Sequence, residues 1–194
     1  YKRQLKQSIK ASEGRVILSE NVAIHPAWIG DLTNTELAAS FGADLILLNG
    51  VDVIKPNLAN VEDQNDFVNE LKKLAGRPIG VNLEPVDKNA AMMDEVIEIS
   101  EGRTVNEKSL KALNKLGMDF VCLTGNPGTG VTNKSIAEAI KLTKEHFDGL
   151  IIAGKMHSSG VDEPVCDEET IKEFTKTGAD VILVPSIGTI QGFD

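Results

Sequence analysis

Six short apolar runs each end in polar residues able to do chemistry: Glu20, Asn49, Asn82 with Glu84, Thr124, Lys155 with His157, and Ser186. In Lys155-Met156-His157, alternation along an extended chain sends the lysine and the histidine to one face. A lysine there could hold a phosphate or carboxylate, or form a Schiff base if burial lowers its pKa. The histidine could pass protons near neutral pH. The competing reading is a lysine that snorkels to solvent and a histidine that caps a turn. In Asn82-Leu83-Glu84, the outer two residues again share a face. Glu84 could be a base or a ligand for a hard divalent cation such as Mg, or it could simply cap the next segment. Glu20 is its candidate partner. Two carboxylates and a lysine on one rim form an acid–base set whose pKa values are pushed apart. Lys155, His157, Glu84 and Glu20 are therefore the candidate catalytic residues.

The candidate binding residues follow from the other run ends. Thr124-Gly125-Asn126-Pro127-Gly128-Thr129-Gly130 is a glycine-rich turn feeding a helix, and backbone N–H groups at a helix start attract anions. It lacks the Gly-Lys-Ser/Thr ending of a Walker loop, and its glycines could serve turn geometry alone. Thr124, Gly125, Asn126, Gly128 and Gly130 join Asn49, Asn82 and Ser186 as candidate substrate contacts. Asn49 precedes Gly50 and could equally make a turn. His25-Pro26 with Trp28 could line the mouth or pack in the core. Asp44, Asp119 and Asp180, each in a Gly-x-Asp triplet that opens a run, read as scaffold at the opposite end.

The elements that must position these groups alternate. The runs are Arg15 to Glu20, Asp44 to Asn49, Pro78 to Glu84, Asp119 to Thr124, Gly149 to Lys155 and Asp180 to Ser186, each preceded by a helix-patterned stretch. Runs this apolar are buried on both faces, as parallel strands between helices are. Capping boxes stand at Thr33 to Glu36 and Thr104 to Glu107, and Asp167 caps the stretch that follows it. The 84–102 segment interrupts the alternation. Met92, Val96 and Ile99 predict a helix there, either a lid or a surface helix. A doubly wound sheet fits six strands but gathers its chemistry at one switch point. A (β/α)8 TIM barrel puts every strand's carboxyl end on one rim. Polar groups at all six ends select the barrel, with about six of its eight strands present and one α/β domain over residues 1–194. The exposed edges of such a fragment would need the missing segment or a partner, a homo-oligomer included.

Composition sets the outer limits. The chain has 194 residues, 25% of them charged, with a net charge of −9. The pI is about 4.9. That acidity excludes nucleic acid and anionic membrane surfaces as expected partners and leaves a small anionic metabolite held by local donors. No run approaches the ~20 apolar residues of a membrane span, and no signal peptide is visible. The absence of an initiator Met suggests a trimmed start. Two cysteines without metal-ligand spacing, Cys122 and Cys166, suit reduced thiols in a cytoplasmic protein.

Several stretches carry a resemblance. Lys10-Ala11-Ser12-Glu13-Gly14-Arg15, Phe41 to Asn49, Gly80-Val81-Asn82-Leu83-Glu84-Pro85-Val86, Cys122 to Asn133 and Ile151 to His157 resemble a bacterial family of uncharacterised TIM-barrel proteins. Its members are usually labelled phosphoenolpyruvate phosphonomutase-like or haloacid-dehalogenase-like hydrolase. The resemblance covers nearly the whole chain. It implies a barrel and a parent of roughly 300 residues, but no established reaction. Phosphonomutases carry an Asp-x-Asp-x-Gly metal motif, whereas here Asp52 stands alone. Dehalogenase-like hydrolases need an Asp nucleophile after the first strand, whereas here Ser19-Glu20-Asn21 stands. The expectation is thus an enzyme acting on a small phosphorylated or carboxylated metabolite by proton transfer at carbon, of isomerase or lyase type. The alternative is a non-catalytic metabolite-binding or assembly protein on the same scaffold.

Overall fold

The structure, a computed structural model, describes residues 1–93 and 95–189. Six parallel strands lie in sequential order: β1 (Leu18–Val22), β2 (Leu45–Asn49), β3 (Ile79–Leu83), β4 (Phe120–Leu123), β5 (Leu150–Gly154) and β6 (Val181–Leu183). A doubly wound sheet reverses its strand order once; this one never does, so the sheet is singly wound and curls as a barrel wall. Each strand falls within or beside an expected run. The first is displaced towards Val22, where its pairing with β2 ends.

Among the described residues, six α-helices accompany the strands: α1 (Lys2–Ala11), α2 (Asn34–Ser40), α3 (Phe67–Ala75), α4 (Glu107–Leu116), α5 (Asn133–His146) and α6 (Glu168–Thr177). Helices α2 to α6 coat the outer face. There Ile46, Leu48, Ile79, Val81, Leu83, Val121, Leu123 and Ile151 pack against Leu71, Leu110, Leu113, Ile136 and Ile140. The inner face is a smaller apolar layer of Leu45, Leu47, Phe120, Cys122, Leu150 and Ile152, and α1 lays Leu5 and Ile9 against it. Alternation thus gives each strand one side for the helices and one for the barrel interior. No described helix is long and apolar enough to cross a membrane.

The repeated Gly-x-Asp triplets explain the end opposite the candidate site. Gly117 and Gly178 close α4 and α6 in the left-handed conformation that L side chains avoid. The Asp two residues later turns its carboxylate back onto the preceding strand. Asp44 accepts from Ile17 N–H at 2.8 Å, Asp119 from Ile79 N–H at 2.8 Å, and Asp180 from Ile151 N–H at 3.0 Å. Each clamps one strand pair at its N-terminal end: β1 to β2, β3 to β4, and β5 to β6. Lys72 pairs with Asp119 at 2.8 Å, and Lys2 and Lys6 pair with Asp180 at 2.7 and 2.9 Å, which fastens α1 across the bottom.

Three local expectations change. The cap of α4 is Asn106 rather than Thr104. Its side chain accepts from Ser109 N–H, because Glu101–Arg103 forms a 3-10 turn that carries the chain past Thr104 in extended form. The 84–102 segment holds no α-helix among its described residues. It is a strap tied across the loops after β4 and β5, through Asp87 N–H to Gly130 O, Met93 N–H to Gly160 O and Ile97 N–H to Gly128 O. Met92 covers Gly130 and Gly160, and Ile97 covers Gly128; of the three side chains that suggested a helix face, Met92 covers glycines instead and Val96 is exposed. Trp28 neither packs in the core nor lines a mouth, because it is fully exposed. Ile190, Gln191 and Gly192, which close the last small-residue stretch, lie outside the described residues.

Asp180 carries a pH signature. Burial alone would raise its carboxyl pKa, but hydrogen bonds from Lys2, from Ile151 N–H and from Lys6 outweigh burial and hold it below the ordinary 3.8. A carboxyl so lowered stabilises the fold above 3.8, and that contribution is lost as pH falls through its folded value. Asp180→Asn should cost about 1–3 kcal/mol at neutral pH. In urea unfolding, the gap between wild type and variant should close as pH drops below 3.8.

Candidate active site

The C-terminal ends of β1, β2 and β3 and the loop after β4 bring five candidate residues into one hydrogen-bonded array. Asn49 Nδ2 donates to Glu20 Oε1 at 2.7 Å and to Asn126 Oδ1 at 2.9 Å. Asn126 Nδ2 donates to Glu84 Oε1 at 2.7 Å and to Asn49 Oδ1 at 3.1 Å. Asn126 N–H also donates to Glu84 Oε2 at 2.7 Å. Asn82 Nδ2 reaches Asn49 Oδ1 at 3.4 Å. The amide orientations are dictated rather than chosen. Gly50 N–H donates to Asn49 Oδ1 at 2.8 Å, so that atom must be the oxygen. Glu84 is acceptor-only, so Asn126 must turn its nitrogen towards it.

This order leaves Asn82 Oδ1 buried with no partner. Asn82 is 3% exposed and Glu84 is 1% exposed, so both form the floor of the mouth. Glu20 is exposed, and Asn49 and Asn126 are half-buried. A buried acceptor without a donor is costly, and a water or a ligand donor would relieve it.

Glu84 is a keystone in this arrangement, not a free base. Besides Asn126 it accepts from Arg103 Nη2 at 2.8 Å. Arg103 went unnoticed in the sequence because nothing in its spacing marks it. It is delivered by a turn in which Glu84 N–H donates to Arg103 O at 2.8 Å and Val105 N–H to Glu84 O at 3.0 Å.

Lys155 is fully buried, and its ammonium donates to Glu163 Oε1 at 2.7 Å. Asn133 N–H, in the first turn of α5, donates to the same oxygen at 2.6 Å. Lys155 thus joins β5 to α5 through Glu163, a residue that no motif or spacing marks in the sequence. Its hydrogen bond leads away from the amide array.

His157 lies closer to the array electrostatically. Burial first, and the Lys155 charge next, lower its pKa below the ordinary 6.5, while Glu20 and Glu84 pull it back up. Ser159 N–H donates to Nδ1 at 3.0 Å, so the neutral ring carries its proton on Nε2. Thr124 is buried at the end of β4. Ser186, exposed on the turn after β6, only accepts from Thr189 through its carbonyl.

The glycine-rich turn does not present the anion-binding donors expected of it. Asn126 N–H is taken by Glu84, Thr129 N–H by Asn126 O, and Gly130 N–H by Ser159 O. The start of α5 is closed by a Thr132–Ser135 capping box. Gly125 is required for another reason: a Cβ there would stand 2.6 Å from Ser159 Oγ and 2.7 Å from Val131 Cβ. Two large cavities lie elsewhere, about 640 Å³ beside α1 and about 700 Å³ under the strap. Neither is lined by the array.

Among the described residues, no three His, Cys, Asp or Glu side chains converge on one point. A hard cation such as Mg would find only the Glu20 carboxylate and Asn82 Oδ1, since Glu84 is already matched by Arg103. These side chains do not by themselves complete a divalent-cation site. Burial first, and the neighbouring Asp167 next, raise the Cys166 thiol pKa, which disfavours the thiolate.

Comparisons agree on the fold. The model of the family described as "Domain of unknown function (DUF7916)" matches residues 1–194, and the chain belongs to that family. No curated protein matches the sequence. Among solved structures, the chain is similar to a phosphonopyruvate hydrolase in complex with oxalate and Mg++ (TM-score 0.56, 13% identity, 100% of this chain and 66% of that one). It is similar also to 2,3-dimethylmalate lyase, a PEP mutase/isocitrate lyase superfamily member (TM-score 0.54, 13% identity, 94% of this chain and 62% of that one). A third is the N-acetylmannosamine-6-phosphate 2-epimerase from Clostridium perfringens (TM-score 0.53, 13% identity, 94% of this chain and 76% of that one). The chain thus spans about two thirds of the length of the first two. Identities this low establish the barrel fold alone. They agree with the phosphonomutase-like side of the resemblance and lend nothing to the dehalogenase-like one.

The His157 assignment can be read directly by NMR titration. Its midpoint should fall below 6.5. Lys155→Met should raise it and Glu20→Gln should lower it further, because each removes one of the opposing charges.

Proposed function

We propose that this DUF7916 chain carries the active face of a barrel enzyme that acts on a small carboxylated or phosphorylated metabolite by proton transfer, in a lyase- or isomerase-type reaction. The observation that carries this reading is the directional array at the strand ends, which fixes every amide and leaves one buried acceptor, Asn82 Oδ1, unfilled. Sites of this kind hold a substrate by a few fixed polar groups over an apolar floor.

Roles follow from exposure and bonding. Glu20 is the solvent-facing carboxylate, oriented by Asn49, and serves as base. His157, neutral near pH 7 with its proton on Nε2, serves as the complementary acid. Each lies within the other's electrostatic reach. Asn82, Asn49 and Thr124 orient the ligand's oxygens. Asn126 and Glu84 hold the loop after β4 in place. Lys155, set by Glu163, contributes positive charge that favours an anion and keeps His157 neutral. The neighbours' names support the metabolite class as an analogy of fold.

A second reading, a binding protein without turnover, draws on the commitment of Glu84 and Lys155 to internal partners. A thermal-shift screen of oxalate, inorganic phosphate and small hydroxy and oxo acids separates the two. A stabilising ligand present at about 100 times its Kd should add about 2.7 kcal/mol. The stabilisation should vanish in Asn82→Ala. With that ligand in D2O, wild type should exchange a carbon-bound proton, and Glu20→Gln and His157→Asn should each slow exchange by about 10²–10⁴. Binding without exchange would favour the second reading, and the absence of any stabilising ligand would defeat both.

A further inference from the structure

Glu84 is, among the described residues, the acidic side chain buried at this end of the sheet, and so the first ligand a hard cation would seek. We infer that Arg103 holds the place of that cation: its guanidinium is the permanent counter-charge of Glu84, and the mouth works without a divalent metal. The metal half of this inference stands on its own; only its consequence for anion binding rests on the function proposed above.

The pair is locked twice. Glu84 and Arg103 are joined through the backbone, Glu84 N–H to Arg103 O at 2.8 Å, and again through the side chains at 2.8 Å. The turn that delivers Arg103 is itself seated. Val53 N–H donates to Gly102 O at 3.1 Å, and Asp52 fills the space that a Cβ on Gly102 would need. Arg103 is therefore built in and cannot be a passing surface contact; its side chain is 26% exposed against 1% for Glu84.

Two more of the four acceptor positions of Glu84 are taken by Asn126, which leaves one on Oε2. Asn126 donates to both carboxylate oxygens, at 2.7 Å each. Mg2+ binds carboxylate oxygen at ~2.0–2.1 Å, needs a near-octahedral set and sheds water reluctantly. To chelate both oxygens it would have to displace the guanidinium and the Asn126 N–H groups, and at the one open position on Oε2 it would sit beside a guanidinium that already matches the charge. Glu20 alone, exposed and bonded to Asn49, offers no second fixed carboxylate. Arg103 is thus a positioning residue: it neutralises Glu84, and through Glu84 it holds Asn126 and the loop after β4.

Mn2+ is a suitable probe, because it broadens the NMR signals of nearby amides and needs no substrate. In wild type, the amides of Asn49, Arg103 and Asn126 should broaden no more than those near exposed acidic residues. Arg103→Met should uncover Glu84, so that Asn49 and Asn126 broaden selectively at about tenfold lower Mn2+ than in wild type. Arg103→Lys keeps the charge and should behave as wild type. Selective broadening of Asn49 and Asn126 in wild type, reversed by excess Mg2+, would overturn the inference. So would a folded Arg103→Met, judged by its spectral dispersion, whose mouth amides ignore Mn2+. Should Arg103→Met not fold, the wild-type titration decides alone. Failure here leaves the proposed reaction to be judged by the ligand screen.

Discussion

The Glu84 carboxylate is the constraint on which the mouth depends. A buried anion is tolerated only when its charge is matched and its lone pairs are filled. Here one carboxylate collects Arg103 from the turn before α4 and both nitrogens of Asn126 from the loop after β4. Three segments far apart in sequence must therefore meet at one point. Removing any partner would leave an uncompensated charge on the floor. The amide order that follows, through Asn49 to Glu20, depends on this meeting.

The two ends of the barrel wall use carboxylates in opposite ways. At the N-terminal end, Asp44, Asp119 and Asp180 repeat one solution, each accepting from an N–H at or beside the start of the preceding strand and drawing in lysines where they are near. Uniform chemistry there holds pairs of strands in register and fastens α1. At the C-terminal end no two strands finish alike, and the polar groups bond to one another across the mouth. Scaffold and site are thus separated along the strand axis, as parallel barrels separate them.

The strap over residues 84–102 links these halves of the problem. Its apolar side chains found no helical partner face. They cover the glycines at 128, 130 and 160, whose missing side chains leave room for Met92 and Ile97. Gly128 and Gly130, which looked like part of an anion cradle, serve with Gly160 as a bed for the strap, and the N–H groups of Gly130 and Gly160 are bonded within the protein. Their flexibility and small size were legible in the sequence, but what filled the space was not.

The sequence by itself determined the six parallel strands, the helices between them, the caps at Thr33 and Asp167, and the end of the sheet at which the polar array gathers. Each rests on local pattern: runs of apolar residues, helical spacing, and short-range side-chain to backbone bonds. It also placed Glu20, Asn49, Asn82, Glu84 and Asn126 together, because strand ends in one barrel must share a rim. Only the tertiary structure decided which of them were still free to act. It spent Glu84 on Arg103, turned Lys155 towards Glu163, and left Asn82 Oδ1 without a donor. Those outcomes come from contacts between residues 8 to 42 apart in the chain, and none of them leaves a mark on helical or strand spacing.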